Sequence, residues 1–209
     1  MKEIYFLRCR ECGKKYPNQP QSYCEECFAP LEVSYDYDAL RQTTSREAVS
    51  RRAFNMWRYS EFLPLPQGFT PSQPIGGTPL VKSRKLSSQL GVKNLYFKND
   101  AVCFPSLSFK DRVVATALAA ARRFGFETIG CSSTGNLANA VAAQGAQQGF
   151  DTCVFIPADL EPAKILNTAV YGARIVRING NEHDRVRFSV RPMPVLPPAP
   201  SKPEPPQQP

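Results

Sequence analysis

The run Thr128-Ile-Gly-Cys-Ser-Ser-Thr-Gly-Asn-Leu-Ala-Asn-Ala-Val-Ala-Ala-Gln-Gly-Ala-Gln-Gln148 decides the fold class. Its first five residues read as a strand, and Gly135 to Gln148 reads as an Ala-rich helix joined to that strand by small residues. The alternation continues on both sides. Upstream, Leu95-Tyr-Phe-Lys98 reads as a strand and Asp111 to Phe124 as a helix. Downstream, Thr152-Cys-Val-Phe-Ile-Pro157 reads as a strand, Glu161 to Tyr171 as a helix with Pro162 in its first turn, and Arg174-Ile-Val-Arg-Ile-Asn179 as a strand. Strands and helices in this order predict an α/β domain with a parallel βαβ sheet covered on both faces, and ligands at the carboxyl ends of its strands.

Beyond this core, the 209-residue chain is 42% apolar and 21% charged, enough for one large or two small domains. No stretch approaches the roughly 20 apolar residues of a membrane span. The start, Met1-Lys-Glu-Ile-Tyr-Phe-Leu-Arg-Cys9, is too short in its apolar run for a signal peptide, so a cytoplasmic location and no membrane partner are expected. The single histidine, His183, speaks against His-activated Ser or Cys nucleophiles and His-rich metal sites. The net charge of +8 contains no block of five like charges. Its densest cluster, Arg46 to Arg58, is interrupted by Glu47 and reads as the solvated face of a helix over 45–62, halted by Pro64 and Pro66. No nucleic-acid partner is expected on that account. Nine of the eighteen residues 192–209 are proline, which predicts a disordered or polyproline-like tail. The organisation expected is a knuckle segment 1–36, a helix and Pro/Gly-rich linker 37–80, an α/β domain 81–181 and the tail 182–209.

The knuckle is Cys9-Arg-Glu-Cys12-Gly and Cys24-Glu-Glu-Cys27, two CxxC turns separated by eleven residues. Each turn aims two thiolates at one ion. Four sulfurs close a tetrahedral shell around Zn²⁺ with no open position, the pattern of a structural zinc-ribbon-like site. Four thiolates on a dication add −2 to the formal charge. Glu11, Glu25 and Glu26 inside the turns repel phosphates and favour a packing role. Cys103, Cys131 and Cys153 lie in apolar surroundings and read as core thiols.

Two strand-to-helix junctions carry candidate chemistry. In Pro105-Ser-Leu-Ser-Phe-Lys-Asp-Arg112, Ser108 and Asp111 form a capping-box-like start that puts Lys110 in the first helical turn. The positive end of the helix dipole disfavours an ammonium there by about 0.3–1 kcal/mol. An amine so placed suits Schiff-base chemistry with a carbonyl, although exposed lysines also occur at helix starts. In Ser132-Ser-Thr-Gly-Asn136, small residues leave backbone N–H groups uncovered at a helix start, a seat for a carboxylate or phosphate or simply an ordinary N-cap.

Together these pieces resemble the threonine synthases, pyridoxal-phosphate enzymes of the tryptophan-synthase β-subunit fold type (fold type II). The resemblance rests on the two CxxC turns, Trp57-Arg-Tyr59 with Glu61-Phe-Leu-Pro64, Gly77-Thr-Pro-Leu80, Ser108-Phe-Lys-Asp-Arg112, Ser133-Thr-Gly-Asn136 and Phe155-Ile-Pro-Ala-Asp159, from Cys9 to about Gly180. It implies that Lys110 holds pyridoxal 5'-phosphate covalently and moves protons at the substrate carbons. Asn136 then hydrogen-bonds the phenolic oxygen of the cofactor, and Ser133 and Thr134 receive the substrate carboxylate. The reaction implied converts O-phospho-L-homoserine, a small amino-acid phosphate, and water to L-threonine and phosphate. A homodimer is open to full-length relatives.

Two departures stand out. Phe104 and Leu107 occupy positions where many relatives carry Asn and Gly, and are expected to shape a pocket wall. The Gly-rich phosphate loop of a later domain is not found: the only adjacent glycines are Gly76 and Gly77, upstream of the lysine. The expectation is therefore a partial cofactor domain, truncated or frame-shifted near Asn181, that lacks turnover and holds cofactor poorly. Competing readings are a zinc-ribbon and α/β binding module that recruits a partner through Pro198, Pro200 and Pro203, or another enzyme of the fold type such as a threonine dehydratase or cysteine synthase, which the cysteine head disfavours.

Overall fold

Strand β1 (Tyr5–Cys9) alternates in burial, with Tyr5, Leu7 and Cys9 facing inward. It is the middle strand of an antiparallel sheet, between β2 (Lys15–Tyr16) and β3 (Leu31–Tyr35). Leu7, Cys9, Tyr16 and Cys24 form its buried core, with Ala29 and Leu31 beside them. The computed structural model describes residues 4–66 and 68–180. The Pro-rich segment 182–209, with the disorder expected of it, and His183 lie outside the described residues.

Helix α1 (Tyr37–Thr43) starts where the Asp36 carboxylate accepts the Ala39 N–H at 3.0 Å. The single helix expected over 45–62 is instead two pieces, α2 (Arg46–Ser50) and a 3₁₀ helix (Met56–Phe62). Side chains cause the break. Asn55 Oδ1 takes the Trp57 N–H at 3.0 Å, and the Met56 N–H bonds the Ile75 carbonyl at 2.8 Å, so neither amide continues a helix. The Arg58 guanidinium bonds the Val49 and Ser50 carbonyls at the end of α2, both at 2.9 Å. Arg52 pairs with Glu61 and with the Arg58 carbonyl. Arg52 and Arg58 are thus half-buried braces, not members of a solvated face.

Residues Leu95–Lys98 also depart from expectation. Strand β5 (Tyr96–Lys98) does not join the parallel sheet; it runs antiparallel to β4 (Leu80–Lys82) in a two-stranded sheet. The connecting α3 (Arg84–Gln89) ends at Gly91, whose φ of +66° turns the chain straight back along β4.

The parallel sheet has the order β6 (Thr128–Ser132), β7 (Asp151–Pro157), β8 (Arg174–Ile178). Residues Thr152 to Ile156 of the central β7 are all buried, as its unbroken apolar run requires. Helix α5 (Asn136–Gln148) lies on β6 and β7. Its small residues permit close approach: a Cβ on Gly145 would stand 2.3 Å from Thr152 Oγ1. Helix α4 (Lys110–Arg123) packs Val114 and Leu118 against Ala140 and Val141 of α5. Helix α6 (Pro162–Ala169) brings Ile165 to Ala138, Val154 and Ile156. All three helices therefore share one face. The opposite face, Cys153, Phe155, Val176 and Ile178, forms a cluster to which no described helix contributes. The cover on both faces expected from the sequence is one-sided among the described residues, since helix residues join the Val154 and Ile156 cluster and none joins that of Cys153 and Phe155.

The loop before β4 is held by a backbone contact that only glycine permits. Gly77 has φ +64°, and a Cβ there would lie 2.0 Å from the Phe54 carbonyl oxygen. Gly77→Ala is expected to cost about 2–4 kcal/mol, from overpacking and left-handed strain together. It should lower the urea midpoint at unchanged slope; a midpoint equal to wild type contradicts the packing described.

Candidate active site and metal cluster

Lys110 is the first residue of α4 and half-buried. Its Nζ lies over the Phe109 ring at 4.8 Å and has no hydrogen-bond or ion-pair partner among the described residues. The next residue explains why it is presented. Asp111 is fully buried and its carboxylate accepts the Ser106 N–H at 3.0 Å, the Ser106 hydroxyl at 2.8 Å, the Ser108 N–H at 3.5 Å and Gln144 Nε2 at 3.1 Å. The expected capping box is thus displaced: Ser106, more than Ser108, answers the carboxylate, and Ser108 Oγ accepts the Lys110 N–H at 3.2 Å. Gln144, also fully buried, bonds the Asp111 carbonyl at 2.9 Å as well and ties the start of α4 to α5.

Helix α5 begins at Asn136 without a side-chain cap, and the Gly135 N–H makes only a 3.4 Å contact to Ser133 Oγ. Nothing lies within 4 Å of a Cβ built on Gly135, so the space before the helix is open. Ser133 is half-buried, while Thr134 and Asn136 are exposed. The structure places Lys110 and the 133–136 loop at the starts of two helices packed on each other; it forms no hydrogen bond between them. Leu107 holds a left-handed φ of +59° while its side chain is 66% exposed, and Phe104 is half exposed beside it.

A second network, not singled out in the sequence, braces the same loop. Arg112 pairs with Asp100 through both nitrogens, at 3.0 and 2.8 Å, and with Thr78 Oγ1 at 3.0 Å; Thr78 in turn donates to Asp100 at 2.6 Å. The Arg112 guanidinium, and then the Thr78 hydroxyl, hold the Asp100 carboxyl down to about 2. The sequence signal was the charge triplet Lys110-Asp111-Arg112, in which only the lysine lacks a partner. Two cavities, of about 590 Å³ beside Leu40 and Phe62 and about 490 Å³ beside Trp57 and Ala119, lie away from Lys110.

The four knuckle cysteines do converge. Their sulfurs lie within 4.8 Å of one another, with Cys9 to Cys27 at 3.4 Å and Cys12 to Cys24 at 3.6 Å. The edge of a zinc–sulfur tetrahedron with 2.3 Å bonds is about 3.8 Å, so the donor set and spacing fit such an ion. The two inner sulfurs, Cys9 and Cys24, are buried and the outer two exposed. Cys24 is held down to about 6, chiefly by the Tyr16 hydroxyl beside it. Cys103 and Cys153 are buried and Cys131 half-buried; burial pushes Cys131 up to about 11, as expected of an inert thiol.

The family model described as pyridoxal-phosphate dependent enzyme matches residues 71–193. The chain belongs to that family. Among curated proteins it is similar to two threonine synthases: that of Methanocaldococcus jannaschii is 36% identical over 179 residues, 85% of this chain and 44% of the relative. That of Methanosarcina acetivorans is 34% identical over 183 residues, 87% of this chain and 44% of the relative. The chain thus spans less than half the length of these relatives. Among solved structures, that of maize serine racemase covers 54% of this chain and 34% of its own at 26% identity, with a TM-score of 0.49. No helix among the described residues is long and apolar enough to cross a membrane.

The described residues fit the family's cofactor where it can be tested. An unpaired, half-buried amine stands at the first residue of α4, and an uncapped helix start with open space before it offers N–H groups to an anion. The Asp100 pairing gives this region an acid sensitivity. Because its folded pKa lies below the unfolded value of about 3.8, the stabilisation is present above pH 4 and is lost as pH falls through about 2. After discounting for solvent screening it amounts to about 1 kcal/mol. Urea midpoints between pH 6 and 2 should therefore fall more steeply for wild type than for Asp100→Asn, and parallel curves would refute the pairing.

Proposed function

We propose that this chain carries the lysine-bearing part of a threonine synthase, acting on O-phospho-L-homoserine and water to give L-threonine and phosphate. The observation that carries the reading is Lys110, unpaired at the start of α4 and locked in place by the buried Asp111 and Gln144, within a sequence 36% identical to a threonine synthase over 179 residues. Bound pyridoxal 5'-phosphate supplies a ring that stabilises carbanions. In this reading Lys110 Nζ binds the cofactor and carries protons to and from the substrate carbons. Asn136 orients the cofactor's phenolic oxygen, and Ser133, Thr134 and the open start of α5 receive the substrate carboxylate. In this reading Phe104 and Leu107 shape the wall of the pocket.

Chain incubated with pyridoxal 5'-phosphate and reduced with borohydride should show the cofactor mass on the peptide holding Lys110, and Lys110→Ala should lose it. Labelling spread over other lysines, unchanged in Lys110→Ala, overturns the assignment. O-phospho-L-homoserine should shift the visible absorption of the loaded chain where L-serine does not; equal responses would leave the family without this substrate.

In the same reading Cys9, Cys12, Cys24 and Cys27 hold a structural Zn²⁺. The convergence of their sulfurs supports it. Helix α4, 14 residues and so about 21 Å long, separates the knuckle's contact at Arg123 from Lys110, which favours a structural metal over a catalytic one. Plasma mass spectrometry of purified chain should find about one zinc per chain and much less in Cys24→Ser. Metal-free protein with four titratable knuckle thiols and an unchanged fold overturns the reading.

A further inference from the structure

Tyr16 is a buried polar side chain that neither the cofactor nor the four-sulfur reading uses. It is 6% exposed and is the second residue of the two-residue β2, paired in register with Leu7. Its hydroxyl stands 3.1 Å from Cys24 Sγ and 3.1 Å from the backbone nitrogen of Glu25. The second contact sets the direction of the first. An amide N–H only donates, so it occupies a lone pair of the hydroxyl oxygen and leaves the hydroxyl hydrogen for the sulfur. A metal-bound Cys24 is a thiolate, which accepts and does not donate.

The surrounding donors show the same division of labour. Cys24 Sγ also accepts the Glu26 N–H, and Cys9 Sγ the Cys12 N–H, each at 3.4 Å. Cys9 and Cys24 are 1% and 0% exposed, whereas Cys12 and Cys27 meet water. Beyond the metal ion itself, the negative charge on the inner sulfurs can be offset only by donors from the chain, because water does not reach them, and a buried charge without such donors is costly. Tyr16 supplies the shortest of these contacts. It also reaches from β2 to the second CxxC turn, so one hydroxyl fastens both halves of the knuckle.

We propose that Tyr16 is a positioning residue of the metal site, donating its hydroxyl hydrogen to the Cys24 thiolate and fixing the second CxxC turn against β2. This rests on the metal reading of the four cysteines, and the test separates the two. Full-length chain is loaded with Co²⁺, whose sulfur-to-metal charge-transfer band reports electron density on the thiolates, and Zn²⁺ affinity is read by competition with a chromophoric chelator. Tyr16→Phe should bind both ions about 10- to 100-fold more weakly, the range for loss of an outer-shell partner, and its band should move to lower energy. Affinity within about twofold of wild type and an unmoved band overturn the role of Tyr16. Absence of Co²⁺ binding by wild type overturns the metal reading itself. Because Tyr16→Phe can fail to fold, 3-fluorotyrosine placed at position 16, a stronger donor of the same shape, supplies the second arm. Its band should move to higher energy, and an unmoved band there also overturns the proposal.

Discussion

The Asp111 carboxylate is the point on which the cofactor half of the structure hangs. It has no exposed surface and takes hydrogen bonds from Ser106, Ser108 and Gln144. A buried charge survives only when its acceptors are filled. Filling them bends residues 106–109 around the helix start, sets the first turn of α4 and anchors that turn to the third turn of α5. Lys110 is presented because its neighbour is consumed. Packing of Val114 and Leu118 on Ala140 and Val141 extends the junction into the core, and α5 carries it to the sheet through the close approach at Gly145.

Much of this was legible in the amino-acid order. The β-branched and aromatic run of β7 and the alanines of α5 pointed to a central strand and a helix laid close on it, as the burial of Thr152 to Ile156 bears out. The pairing of CxxC turns foretold the convergence of four sulfurs. The break after Ser50 was not legible, because its causes are distant in sequence: the Met56 amide is claimed by Ile75, and the guanidinium of Arg58 reaches back to Val49 and Ser50. The direction of β5 was equally hidden, since three residues carry the same pattern in parallel and antiparallel pairs.

Side-chain networks were the least legible part of the candidate site. Asp100 and Thr78 stand 12 and 34 residues from Arg112, and no local spacing marks them as partners. Tyr16 reads as one aromatic in a spacer between cysteines, and only the folded β2 shows that its hydroxyl meets a sulfur. The motif residues themselves, Lys110 and Ser133 to Asn136, fall at helix starts as their small and polar neighbours required.

The Tyr5 hydroxyl joins the knuckle to the rest of the chain: it donates to the Leu65 carbonyl at 3.0 Å and accepts from Asn18 and Arg123, each at 2.7 Å. The Arg123 contact closes a loop of 118 residues. In chain-entropy terms such a closure costs about 4 kcal/mol beyond its constant part, about 1 kcal/mol more than the closures inside either unit, such as Tyr5 on Tyr35 or Asp111 on Gln144. Assembly therefore has a natural order. Contact order favours formation of the four-cysteine unit and the βαβ unit from their shorter-range contacts ahead of the meeting of the Tyr5 hydroxyl with α4.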